Sequence, residues 1–314
     1  MLTLFDFEVL SRWGTVDPKG LMELCDEDYL QHIRGAARRI AENLRQTPIL
    51  LLSGPSGSGK TTSAKKVEIE LKRLGIRTHV ISMDNYFRTV VPETHPRDKF
   101  GRIDFESPEC MDLPLLLAHL DALAEGREIL VPKFDFSRQT RNETRATPLH
   151  LGRDEVAVVE GIHAFNPDLS GALGHKALKL YVSARSGVRR GGAPYYQGTW
   201  TRLTRRLIRD KNFRGSPPSQ TFDLWASVRR GEKKYISPYK DFADIVVDTA
   251  HPYELMVMKK DVLPLLSHVP EGCERSEEWK RLAPRLAEFP EIPETLVAGD
   301  ALVREFIGGG TIRY

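Results

Sequence analysis

The chain has 314 residues, of which 40% are hydrophobic and 28% charged, with 46 Lys and Arg against 43 Asp and Glu for a net charge of +3. That balance belongs to a globular chain with core material for one large or two modest domains, and it excludes a disordered polyelectrolyte. No run approaches the roughly 18 apolar residues of a membrane span, the opening MLTLFDFEVLSRW is no secretory signal, and Cys25, Cys110 and Cys273 are too far apart for a disulfide framework or zinc pattern, so a reducing cytoplasm is expected.

In chain order, the first 47 residues read as mostly helical. Leu30, Ile33, Ala37, Ile40 and Leu44 recur at spacings of three and four, Arg34, Arg38, Arg39 and Arg45 supply a wet side, and Asp17-Pro18 marks a helix start. Pro48 closes this region, and residues 49–52 (ILLL) form a short apolar run that suits a buried parallel strand. A Gly-rich stretch leads into a helix from 60 to about 74, ended by Gly75, and a strand follows over 78–82. Strand, helix and strand in succession imply a parallel sheet. Further strands are predicted at 156–159, 179–182 and 244–247, helices at 113–124, 201–209, 221–230 and 253–266, and an extended pair at 129–136 and 143–149. The segment 185–200, with Gly191, Gly192 and Gly198, reads as a mobile loop, and the tail beyond Pro270 mixes charged helix with Pro and Gly. The expected fold class is α/β: a mainly parallel sheet flanked by helices over 49–268, a helical extension over 1–48, and a helical or irregular extension over 269–314.

Residues 54–61, GPSGSGKT, satisfy G-x-x-x-x-G-K-[ST] in full. Gly54, Gly57 and Gly59 let backbone N–H groups turn inward around a polyphosphate, Ser56 and Ser58 lie between them, and the helix adds its positive end. Lys60 reaches the β/γ-phosphates, the Thr61 hydroxyl ligates Mg²⁺, and Thr62 extends the cradle. This P-loop does not name the reaction. There is no N-K-x-D motif of a GTPase, and the strand 156–159 ends in one carboxylate, Glu160, then Gly161. At the carboxyl end of a strand Glu160 would face the phosphates and could hold Mg²⁺; a solvated strand-end acid is the alternative. Asp84 follows the second strand; it is either a base that takes the proton of an attacking hydroxyl or a helix N-cap.

The charge is unevenly spread. Between Arg185 and Arg214 stand nine Arg and Lys and one acid, Asp210, a local +8 that leaves −5 elsewhere. Such a block implies a local anionic partner. Arg202, Arg205, Arg206 and Arg209 recur at helical spacing, so several guanidinium groups can converge; a merely solvated basic helix is the alternative.

With these elements in place, residues 49–266 resemble the uridine kinase branch of the uridine kinase/phosphoribulokinase family. The segments that carry the resemblance are GPSGSGKTT, ISMDNYF, PRDKFGRIDFESPECMD, PKFDFSRQTR, VVEGIHAF, RLTRRLIRDKNFRG and SVRRGEKKYISPYKDFADIVV, and LVREFIGGG looks like the closing signature of bacterial uridine-kinase-like proteins. Some of those proteins carry an amino-terminal synthetase-like module, which is not expected here. The resemblance implies a P-loop kinase fold, ATP and Mg²⁺, Asp84 as catalytic base and Glu160 at the metal site. It also implies a lid at about 185–216 in which Arg206, Arg209 and Arg214 contact phosphate. Around the acceptor it places Tyr86, Asp104, Glu106, Phe134, Gln139 and Arg141. Glu106 stands where the family uses an Asp on the ribose hydroxyls, Phe134 where an aromatic lines the base site (one more buried strand aromatic being the alternative), and Gln139 where a His reads the pyrimidine; Ser216 replaces a further arginine. The expected activity is γ-phosphoryl transfer from ATP to a small-molecule alcohol, foremost the 5′-OH of a nucleoside. A sugar or polyol acceptor is the alternative, and a nucleotide-gated nucleic-acid-binding protein a more distant one. Neither a membrane nor a nucleic-acid partner is expected, and self-association is left open.

Overall fold

The computed structural model describes residues 4–97, 101 and 103–312; positions 98–100 and 102 of the motif PRDKFGR lie outside the described residues. Its strands are β1 (Leu4–Asp6), β2 (Ile49–Ser53), β3 (Arg77–Ser82), β4 (Ile129–Asp135), β5 (Thr140–Leu149), β6 (Glu155–Glu160), β7 (Ala177–Ser183), β8 (Gly187–Arg190), β9 (Ala193–Tyr196) and β10 (Ile245–Asp248). The central sheet runs β10-β7-β2-β6-β3 with every pair parallel. β2 lies in the middle with every residue buried, which is why its sequence is a continuous apolar run rather than an alternation. The register sets Leu52 of β2 and Ser82 of β3 against Glu160 of β6, so three strands end at one level. The chain leaves β2 between β6 and β7, a switch point where the loops after the strands part into a crevice.

The longer helices are α1 (Phe7–Val16), α2 (Pro18–Asn43), α3 (Lys60–Arg73), α4 (Leu113–Ala124), α5 (Pro167–Leu173), α6 (Gly198–Arg214), α7 (Pro218–Gly231) and α8 (Glu254–Leu266). The Asp17 carboxylate accepts from the Gly20 N–H at 2.9 Å, and Pro18 opens α2 where a missing N–H costs nothing. Tyr29, Ile33, Ala37 and Ile40 of α2 share one hydrophobic cluster with β2, α3, Leu302 and Phe306, while Phe7, Leu10 and Leu21 share another with α6, α8 and residues 279–303. Both extensions thus contribute to the same cores as the central segment. Among the described residues no helix is long and apolar enough to cross a membrane.

The segment 185–200 differs from the expected loop. It forms the antiparallel hairpin β8–β9, turned at Gly191 and Gly192 with φ of +56° and +82°, and runs straight into α6. Its partner is remote in sequence: β1 pairs in parallel with β8. Arg190 bonds Glu8 at 3.0 Å, pairs with Glu288 and lies 4.5 Å over the Phe7 ring, while Arg189 sits 3.9 Å from Asp6. These two arginines dock the hairpin onto the termini.

Candidate active site

The P-loop joins β2 to α3 with Gly57 and Gly59 in the left-handed region, at φ of +71° and +79°. Gly54 is required by contact rather than by φ, because a Cβ there would stand 2.0 Å from the Val182 carbonyl oxygen. The loop is braced from outside, carbonyl by carbonyl. Arg202 donates to Ser56 O at 3.0 Å, Arg205 to Gly57 O at 3.2 Å and the Thr249 hydroxyl to Ser58 O at 2.6 Å. Lys60 Nζ donates to Gly54 O at 2.8 Å and Pro55 O at 3.1 Å. With their carbonyls bonded outward, the peptide units of the loop hold their N–H groups for an anion inside it.

The basic helix therefore divides into two sets. Arg202 and Arg205 are 3% and 0% exposed. Arg202 forms a two-pronged pair with Glu232 at 2.6 and 3.0 Å, and Arg205 one with Glu254 at 2.5 and 2.9 Å. They are internal struts. Arg206 and Arg209 face the loop mouth: Arg206 donates to Ser56 Oγ at 3.0 Å and to Asp210 at 3.1 Å, and Arg209 to Asp210 at 2.7 Å. Arg214, its side chain more than half exposed, lies 3.7 Å from the same carboxylate. Three cations share one buried acid, Asp210.

Glu160 and Asp84 stand across from Lys60 at the strand ends. The Ser82 hydroxyl donates to Glu160 Oε1 at 2.9 Å, fixing one carboxylate oxygen. Asp84 is open to the cleft, but the enclosing walls strip hydration and Glu160 adds like charge, so its carboxyl is pushed up to about 6. Burial draws the Lys60 ammonium down, against the pull of Glu160, Glu305 and Asp84. The oxygen donors Thr61 and Glu160 are of the kind Mg²⁺ prefers, and the crowding of the Glu160 and Asp84 carboxylates is what a divalent cation relieves.

The expected acceptor residues fare unevenly. Asp104 and Glu106 stay together, with the Glu106 N–H on Asp104 Oδ1 at 3.2 Å, and burial pushes the Glu106 carboxyl up to about 7. Gly231 admits that side chain, since a Cβ there would lie 2.7 Å from Glu106 Cβ. Tyr86 and Phe134 are buried. Tyr86 is 0% exposed because the tight helical turn Met83–Tyr86 aims it inward, and its hydroxyl is bonded to His119 at 3.0 Å. Phe134 is buried against Phe87 and Phe136, ring centroids 5.6 and 5.1 Å away. Gln139 projects outward from the β4–β5 turn with φ of +53°, and Arg141 is bonded to Asp112 at 2.8 Å. Thr62 is also already occupied: its N–H donates to Glu305 Oε2 at 3.1 Å and its hydroxyl bonds the same oxygen. Sequence reasoning missed Glu232, Glu254, Thr249 and Glu305, all remote partners without a local pattern.

The sequence profile of the Phosphoribulokinase / Uridine kinase family matches residues 49–255. A uridine kinase of Deinococcus deserti is 30% identical over 200 residues, covering 63% of this chain and 86% of that protein. One of Lactobacillus helveticus is 30% identical over 207 residues, covering 65% and 87%. A solved structure described as a possible uridine kinase from Bacillus stearothermophilus is 18% identical, covers 64% of this chain and 88% of that one, and superposes with a TM-score of 0.42. The matched span runs from β2 through the P-loop, Asp84, Glu160 and α6 into α8, and with that span the chain belongs to the Phosphoribulokinase / Uridine kinase family and is an ATP-dependent phosphotransferase.

Proposed function

We propose that the protein transfers the γ-phosphoryl group of ATP to the 5′-hydroxyl of a nucleoside of the uridine or cytidine kind. The observation that carries this reading is Asp84, open to the cleft beside Glu160 and facing Lys60 across the P-loop mouth. Its ionised carboxylate takes the proton of the attacking hydroxyl as the oxygen–phosphorus bond forms and ADP departs. Lys60 gives up the Gly54 and Pro55 carbonyls to reach the β/γ-phosphates, and the loop N–H groups hold the remaining oxygens. Arg206 and Arg209 supply planar guanidinium donors to the charge that spreads over the phosphoryl group in transfer, and Arg214 adds to that field. Thr61 and Glu160 would hold Mg²⁺, which when bound neutralises charge across the β- and γ-oxygens. Asp104 and Glu106 bind the acceptor's vicinal hydroxyls. The curated uridine kinases at 30% identity support the nucleoside acceptor.

A sugar or polyol acceptor is the second reading. It is favoured by the burial of Tyr86 and Phe134 and the outward position of Gln139, which leave few of the expected residues to read a base. An ADP-release screen across nucleosides, phosphorylated sugars and polyols, run on wild type and Asp84→Asn, tests both. Turnover of a nucleoside, abolished in Asp84→Asn with ATP binding intact, is the expected result. Near-normal turnover by that variant overturns the base assignment, and turnover of a polyol alone replaces the acceptor.

A further inference from the structure

Residues Arg304–Gly310 lie outside the span the family profile matches, yet they reach the P-loop. The short helix Arg304–Ile307 packs against α6 with Phe306 buried, and Arg304 ties the turn behind it by donating to the carbonyls of Glu294 and Val297, each at 2.8 Å. Between this segment and α6 opens a pocket of about 460 Å³, lined among others by Thr61, Phe213, Arg214, Glu305 and Gly309. That size is within the roughly 300–1,000 Å³ of small-molecule sites. Thr61 belongs both to the pocket and to the P-loop, so the cavity continues the phosphate cradle.

Two features shape the pocket wall. Phe213 is 58% exposed although α6 has a buried face to offer it. Opposite it the chain carries no side chains over Gly308–Gly310; Gly308 and Gly309 have φ of +88° and +67°, and a Cβ on Gly308 would come 3.3 Å from the Phe213 ring. Gly308 closes one edge of the ring, and the rest of the exposed Phe213 ring lines the pocket as a platform on which a planar ring can stack. At the pocket's inner end the Glu305 carboxylate takes the Thr62 N–H and hydroxyl, in the first turn of α3, where a helix start favours an anion.

We propose that the segment Arg304–Gly310 is a working part of the donor site: the pocket takes the nucleoside moiety of the phosphate donor, and Glu305 holds, in the nucleotide-free chain, the Thr62 donors that the donor's α-phosphate takes over. The proposal rests on the kinase reading of the P-loop. The donor therefore displaces, or binds against, a carboxylate belonging to the chain itself, and neutralising that carboxylate favours every polyphosphate. Loss of the Phe213 ring disfavours only polyphosphates that carry a base.

The test is calorimetric binding of Mg²⁺-ATP and Mg²⁺-tripolyphosphate to full-length wild type, Phe213→Ala and Glu305→Gln, with thermal unfolding as the folding control. Phe213 is exposed, so its truncation does not open the core. Phe213→Ala is expected to weaken ATP about tenfold, within the range for one base on one aromatic, and to leave tripolyphosphate unchanged. Glu305→Gln is expected to tighten both ligands severalfold, the more so at low salt. Equal losses of ATP and tripolyphosphate in Phe213→Ala, unchanged ATP binding there, or unchanged or weakened binding in Glu305→Gln overturn the proposal. A wild type that binds neither ligand overturns the kinase reading of the P-loop and this inference with it.

Discussion

Arg205→Met is expected to destabilise the whole protein rather than alter the chemistry alone. Arg205 is 0% exposed, and its removal leaves the buried Glu254 carboxylate with the His251 N–H at 3.0 Å but no cationic partner among the described residues. It also strips the Gly57 carbonyl of its 3.2 Å donor. Breaking one side of a buried pair costs about 3–5 kcal/mol, because a desolvated charge is left behind. For 314 residues, at about 2.1 cal/mol/K per residue, the unfolding entropy is roughly 0.66 kcal/mol/K, so the midpoint falls by about 5–8 °C. Differential scanning calorimetry reads this directly, and Arg205→Met/Glu254→Gln recovers part of the loss by removing the orphaned charge. A single variant that melts within about 1 °C of wild type refutes the strut.

Arg206→Ala is the contrasting case one residue on. Asp210 keeps Arg209 at 2.7 Å, so melting shifts little while kcat falls about 100-fold or more and ATP affinity changes by less than tenfold; equal losses in binding and turnover would show uniform phosphate binding instead. Glu160→Gln raises the Mg²⁺ concentration for half-maximal turnover about tenfold, and a variant with an unchanged Mg²⁺ titration removes Glu160 from the metal site. Asp26 is pushed up from its ordinary 3.8 to about 6 by burial, although the Tyr253 hydroxyl donates to it at 2.6 Å; His251 Nε2 lies 3.4 Å away and is drawn down to about 4 by its own burial. A carboxyl raised in the folded state contributes stability below its unfolded pKa and loses it as pH rises through about 6. Asp26→Asn thus gains on wild type above pH 6 by up to about 2–3 kcal/mol, and the gain disappears by about pH 4; urea unfolding across that range that shows a pH-independent difference contradicts it.

How much of this was legible follows from the distance over which each feature is specified. β2, the P-loop, α3 and β3 are contiguous, and their apolar run, glycines and helix stop act within a few residues, so their identities were readable in order. The hairpin β8–β9 was not readable, because its two four-residue strands acquire a further partner only from β1, which lies at the start of the described residues. Tyr86 and Phe134 carry no mark that separates a substrate-facing ring from a core ring; only the packing of Phe87, Phe136 and His119 around them decides it.

The basic block shows the same division most sharply. Its net +8 and its helical spacing are properties of the sequence, and they imply a local anionic partner. Which anions the arginines meet is a matter of tertiary structure. Arg202 and Arg205 are neutralised by Glu232 and Glu254, 30 and 49 residues further along, and spend their remaining donors on P-loop carbonyls. Arg206, Arg209 and Arg214 share the single acid Asp210. A charge pattern along one helix is a one-dimensional property, whereas burial and pairing depend on which surfaces meet; the sequence by itself determined the P-loop pattern and the row of arginines, and the packing of α6 against the loop decided which of those cations brace it and which lie at its mouth.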